Sequence, residues 1–301
     1  MASTRSGTAR RQYGVAALFT APFFLLFGVF TLAPIGYGGW LSLHREQTDG
    51  LGLGGEPQQV FVGLDNFAQA LTNTRFLGGF LTVGVYCAVY IPVMVAVAMV
   101  LALLLDSAYA RAKRFFQLAL YLPNIVPGLI AAMIWLYLYT PGLSPVVDLL
   151  DSVGVPFSLG SDAGAVGAVA NLAIWEHTGY NVIIFFAALQ AIPREVIEAA
   201  TVDGAGGVRV AWSVKAPMIR GAVVIAVLFT VIGAMQLFTE PFILMDAATT
   251  INDSWTPSMY IYTLTRSYNL GGAAAASLIL TVVLAAASFV VTRFSRKGAT
   301  P

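Results

Sequence analysis

The stretch FLGGFLTVGVYCAVYIPVMVAVAMVLALLL, Phe76 to Leu105, runs for thirty residues without a charge. A helix rises about 1.5 Å per residue, so roughly 20 apolar residues cross a hydrocarbon core about 30 Å thick. A segment in lipid must satisfy its backbone polar groups internally, which makes this stretch a transmembrane helix. Runs of the same texture flank it. Gln12 to Leu43, Phe115 to Val147 and Ser267 to Thr292 are uncharged, Ala163 to Ala191 is broken only by Glu176 and His177, and Gly221 to Met245 only by Glu240. Six spans result. Composition agrees: 10% of the 301 residues are charged and 58% hydrophobic, where a soluble domain carries about 25% charged residues.

The basic residues orient these spans. With the N-terminus inside, the inner segments hold thirteen, namely Arg5, Arg10, Arg11, Arg111, Lys113, Arg114, Arg194, Arg209, Lys215, Arg220, Arg293, Arg296 and Lys297. The outer segments hold three, Arg45, Arg75 and Arg266. An excess of Lys and Arg marks the cytoplasmic side, so both termini are expected inside. Arg10 and Arg11 precede an apolar run far longer than the core of a signal peptide, so the first run is read as a retained span. In the outer loop, Asp65 is expected to cap a short surface helix.

Several classes of chemistry are excluded. None of the three lysines, Lys113, Lys215 and Lys297, follows a glycine, so the chain has no P-loop for ATP. Gly142-Leu143-Ser144 runs into Pro145, which breaks the pattern of an intramembrane serine protease. Two histidines, His44 and His177, and one cysteine, Cys87, leave no metal cluster and no internal disulfide. A net charge of +1 points away from nucleic acid. No catalytic residue and no cofactor are expected.

The segment Gln190 to Arg220 differs from its apolar surroundings. Pro193 suits a first helical turn, Glu195 and Glu198 put negative charge at its positive end, and Gly204 can take the left-handed conformation that closes it. A short exposed helix follows, with Val196, Ile197, Ala200 and Thr201 near one face, and a second helical stretch, Val208 to Ala216, runs into Pro217. Within it, Glu198-Ala199-Ala200, three residues, Gly204, nine residues and Val214-Lys215-Ala216-Pro217 resemble the EAA motif of ATP-binding-cassette (ABC) import permeases. Val214 stands for the motif's Ile and Ala216 for its Leu.

The resemblance extends over nearly the whole chain and is similar to the carbohydrate-importer permeases of the maltose, lactose and glycerol-phosphate type. It is carried by Val62-Gly63-Leu64-Asp65-Asn66-Phe67, by Tyr121-Leu122-Pro123 with Trp135, by Trp175, Gly179, Leu189-Gln190 and Ile192-Pro193, and by Phe238-Thr239-Glu240-Pro241-Phe242-Ile243-Leu244. Met245-Asp246-Ala247-Ala248-Thr249 replaces the glycine-rich run that often follows there. The resemblance implies an all-α, six-span bundle of the type I ABC importer class in a bacterial inner membrane, N-in and C-in. It implies residues 1–13 as a cytoplasmic tail, 14–293 as the permease domain with outer loop 44–75 and coupling loop 190–220, and 294–301 as a second cytoplasmic tail. It further implies a partner permease, two ATPase subunits and an extracytoplasmic solute-binding protein, with a sugar or polyol as cargo. Glu198, Ala199, Ala200, Asp203, Gly204 and Pro217 would then couple the chain to an ATPase.

Glu176 has its own argument. It lies 14 residues before Gln190, about 21 Å along a helix and so in the outer half of the core. A carboxylate there is costly against lipid, so Glu176 is expected to face a partner subunit, a cavity or a paired cation; Glu176 and Glu240 are the candidate residues of a substrate path, with hydrogen bonding at a packing interface or snorkelling to the outer surface as the other reading of Glu176. An ion-coupled secondary transporter is the alternative, since it too would use intramembrane carboxylates. That class has no use for a docking helix in register. The run Gly271 to Ser277 is expected to pack closely through its small residues.

Overall fold

A computed structural model describes residues 17–47, 58–107, 111–154 and 158–297. The expected N-terminal tail lies outside them, as do the last four residues of the C-terminal one. In chain order the elements are α1 (Ala17–Ser42), β1 (His44–Gln47), β2 (Gln58–Phe61), α2 (Asp65–Thr72), α3 (Thr74–Asp106), α4 (Lys113–Ile125) and α5 (Gly128–Tyr139). They continue with α6 (Pro145–Ser152), α7 (Asp162–Gln190), α8 (Arg194–Val202), α9 (Gly207–Met218), α10 (Arg220–Met235), α11 (Thr239–Leu244), α12 (Pro257–Arg266) and α13 (Leu270–Lys297).

Among the described residues, four helices, α1, α3, α7 and α13, are long and apolar enough to cross a membrane. Two bent pairs, α4–α5 and α9–α10, bring the number to six if each pair is one span. The third expected span is therefore not a single helix: α4 and α5 meet at 93°. Val126 precedes Pro127, and the proline ring disfavours helical backbone there, so Val126 is extended with ψ 126°. The fifth expected span, Gly221 to Met245, begins in α10 just after a 64° bend from α9, and its helix ends early, at Met235. Phe238 breaks the helix with φ −143°, and α11 restarts at Thr239, so Glu240 sits in a new first turn and not in mid-span.

The described residues form two compact units, one reaching Thr72 and including Leu264–Ile279, the other holding Asn73–Thr263 and the described part from Leu280. In the first, β1 and β2 form an antiparallel hairpin pairing Arg45 with Val60. Buried Asn66 closes the loop: its Nδ2 donates to the carbonyls of Ser42 and His44, each at 2.9 Å, and its Oδ1 accepts from the Arg45 guanidinium. Asp65 is the first helical residue and not the cap, and it pairs with Arg45 at 2.9 Å. A Cβ on Gly271 would lie 2.1 Å from the His44 carbonyl oxygen, so the small-residue run does pack tightly at its start.

The second unit is built on α3 and α7. Tyr86, Tyr90, Met94, Ala98 and Ala102 recur every four residues along α3 and are all buried. Ala165, Ala168, Val169, Ala173 and Glu176 form the matching stripe on α7. With lipid as apolar as the side chains, such helices associate through close packing, which the alanines permit. Glycine is needed where α4 crosses α7: a Cβ at Gly179 would lie 1.7 Å from the Leu120 carbonyl oxygen. Side chains cap two of the long helices, Asn73 Oδ1 accepting from the amides of Arg75 and Phe76 and Ser161 Oγ from that of Gly164.

Candidate functional site

Two arrangements in the second unit can do work. The first is a cavity of about 300 Å³ between α3, α7, α10 and α11. Tyr86 and Tyr90, one turn apart, stack at 5.2 Å between ring centroids and wall it from α3. Tyr180 and Phe229 add rings from α7 and α10. Between the rings lie His177, Asn181, Gln236 and Glu240. His177 Nδ1 stands 3.1 Å from the Ala173 carbonyl, which can only accept, so Nδ1 carries the proton and Nε2 keeps its hydrogen-bonding capacity. Asn181 Nδ2 donates to the His177 carbonyl at 2.9 Å, while its buried Oδ1 has no partner among the described residues.

The two carboxylates expected from the sequence come together at the break between α4 and α5. A Cβ built on Gly128, the first residue of α5, would lie 3.3 Å from Glu240 Oε1 and 3.8 Å from Glu176 Oε1. Both acids thus stand at a helix N-terminus, where the aligned peptide dipoles favour negative charge. Glu176 is buried, 8% exposed, and its Oε2 has no hydrogen-bond partner among the described residues. Glu240 is half-buried and reaches the cavity wall, whereas Glu176 does not.

The second arrangement is the segment after α7. Pro193 precedes α8 with φ −59°, and Gly204 closes it with φ 82°, a left-handed value that glycine takes without strain. The Ala205 amide donates to the Ala200 carbonyl and the Gly204 amide to that of Thr201, each at 3.0 Å, which is the Schellman pattern of a helix end. Glu198, Ala199, Asp203, Gly204 and Pro217 are exposed and Ala200 is half-buried. Val196, Ile197 and Ala200 are half-buried, so the face on which they fall turns towards the protein, although Thr201 beside them is exposed. Val202, 87% exposed, stands on the outer face beside Glu198 and Ala199.

Sequence reasoning missed two sets of residues. Tyr86 and Tyr90 carried a signal, two aromatic hydroxyls one helical turn apart in an otherwise apolar run. Asp106 ends that same run, and its role depends on residues far along the chain: its Oδ2 accepts from Lys215 Nζ at 2.5 Å and its Oδ1 from Gln190 Nε2.

Helices long enough for a bilayer, a break beside a cavity walled by rings and a few polar side chains, and an exposed capped helix between two spans suit a membrane transport component. The chain belongs to the family of binding-protein-dependent transport system inner membrane components, whose model matches residues 67–298. It is 30% identical over 296 residues to the sn-glycerol-3-phosphate transport system permease protein UgpA of Pectobacterium atrosepticum, covering 97% of each chain. It is likewise 30% identical over 282 residues to UgpA of Yersinia pseudotuberculosis, covering 92% of each. Its fold matches a chain of a bacterial ABC transporter involved in the import of the acidic polysaccharide alginate, with TM-score 0.83 at 20% identity over 98% of this chain and all of that one. A second structure, of the alginate transporter in complex with an alginate pentasaccharide-bound periplasmic protein, matches with TM-score 0.81 at 20% identity, over 97% of this chain and 96% of that one. The chain is a multi-pass permease component of a binding-protein-dependent ABC importer, a transport subunit and not an ion-coupled carrier.

Proposed function

We propose that this permease forms half of a path for a sugar or related polyol across a bacterial inner membrane, with both termini in the cytoplasm, and that α8 docks on an ATPase subunit. A second permease subunit would complete the path, two ATPase subunits would drive it, and an extracytoplasmic binding protein would deliver the ligand. The single observation that carries this reading is α8 itself: the residues in register with the EAA pattern fold into an exposed helix that Gly204 closes in a left-handed conformation. The cavity supports the cargo class. Rings such as Tyr86, Tyr90 and Phe229 can cover the apolar faces of a sugar, and Asn181, Gln236 and Glu240 can take its hydroxyls. Closure of the ATPases would push on α8, and rocking of the attached spans would switch the cavity between the two sides.

The decisive measurement is ATP hydrolysis by the co-purified complex in lipid discs, with and without the sugar-loaded binding protein. Stimulation by the loaded protein is expected. Hydrolysis that ignores it, or a chain that co-purifies with no ATPase, refutes the reading.

A further inference from the structure

Asp106 is the last residue of α3 and follows thirty residues without a charge. Its carboxylate holds two partners, Lys215 through Oδ2 and Gln190 through Oδ1. Gln190 ends α7 before the docking helix and Lys215 lies beyond it, in the π turn Ala211–Lys215 of α9. The whole segment from 190 to 215 therefore starts and ends on one carboxylate. The ion pair is secluded, with the Lys215 and Asp106 side chains 17% and 8% exposed.

The packing around it is open. A cavity of about 530 Å³ lies between α8 and α3, bounded by Val100, Leu103 and Leu104 on one side and by Ile197, Thr201 and Trp212 on the other. Side chains separated by such a gap have no atoms in contact through which to press. Two routes are then left for a load on α8: the chain itself, held by Ile192 and Ala216 against the core on either side, and the carboxylate clamp. A buried ion pair adds little net stability, because desolvation offsets its attraction, but parting its members strands a buried charge and is costly. π turns inside helices are frequently found at functional positions.

We propose that Asp106 is a positioning residue of the coupling machinery, tying both ends of the docking segment to α3 so that displacement of α8 moves that helix. α3 also carries Tyr86 and Tyr90, which wall the cavity; Tyr90 lies 16 residues from Asp106, about 24 Å along one continuous helix. The clamp and the cavity are thus two ends of one rod. This inference rests on the reading of α8 as the docking helix.

The test needs no knowledge of the cargo. In the assembled complex, with Cys87→Ser and a single cysteine at Gly233 on the cavity wall, the rate of modification by a soluble thiol reagent is measured without nucleotide and with ATP plus orthovanadate. The parent complex should change its rate between the two states. Asp106→Asn and Lys215→Met should reduce that change by about two- to thirtyfold, the span of mutational effects on coupling between sites, with ATPase subunits still bound. The exchange Asp106→Lys with Lys215→Asp should restore it. A full response from Asp106→Asn while Gly204→Val responds poorly would overturn the clamp and leave the docking helix intact. Full responses from both would overturn the docking reading, and the clamp with it. Should Asp106→Asn fail to assemble, the exchanged pair decides: a recovered response supports the clamp, and an assembled complex without one refutes it.

Discussion

Gly204 shows how much one residue can carry. At φ 82° it ends α8 in a conformation that a β-branched side chain opposes, at a cost of roughly 1 kcal/mol or more, so Gly204→Val should lower uptake while membrane insertion stays normal. Uptake assays paired with immunoblots of the membrane fraction check it, and uptake at the parent rate would refute a coupling role. The carboxylates separate by position. Glu240 reaches the cavity wall and Glu176 stands behind it, so Glu240→Gln should weaken apparent uptake affinity severalfold, the loss of a charge-assisted hydrogen bond. Glu176→Gln should act mainly through packing, and dose–response curves for the two variants distinguish the effects. Glu198, expected with Glu195 at the positive end of the helix, lies past the first turn of α8, where Glu195 alone stands, whereas Gly204 was legible in the sequence because helix caps are local. Asp106 was not: its partners lie 84 and 109 residues away, and nothing in a linear pattern brings them together.

Among the elements, the apolar runs 76–105 and 163–191, the second in spite of Glu176 and His177, translated directly into α3 and α7, whose ends fall within two residues of the expected ones. The third run did not. Pro123 and Pro127 were visible, yet Pro123 sits inside α4 and only the second proline coincides with the 93° turn. Whether a proline bends a helix or divides it depends on its surroundings in space, and here Glu176 and Glu240, which stand beside the first residue of α5, come from α7 and α11. Gly179 is the complementary case, a glycine whose need is set by α4 passing across α7. Gly179→Ala should push Leu120 away and destabilise the bundle by about 1–3 kcal/mol, the usual cost of overpacking, or more. Thermal unfolding of the purified complex in detergent should show a clear drop, and an unchanged midpoint would mean that the two helices can separate freely.

For the molecule as a whole, the proposed cytoplasmic position of α8 rests on the thirteen-to-three bias of basic residues and has a direct test. In a Cys87→Ser background, a cysteine at exposed Gly160 should react in intact cells with an impermeant thiol reagent, and one at Val202 should not. Labelling of Val202 from outside would invert the topology. The long helices also differ in how much of themselves they bury. Half of the most apolar window of α7 is buried, the largest share among the four, and α7 is also the least apolar of them. This difference bears on how the protein is made. As the chain emerges from the ribosome, α1 has the apolar length to leave the insertion machinery alone and wait in the lipid. α7, which bears buried Glu176 and packs on both α3 and α4, should leave the translocon in company with these earlier helices, and insertion of α7 alone, read by glycosylation mapping, checks that dependence. Replacing Glu176 with leucine would loosen that dependence, letting α7 enter the bilayer unaccompanied.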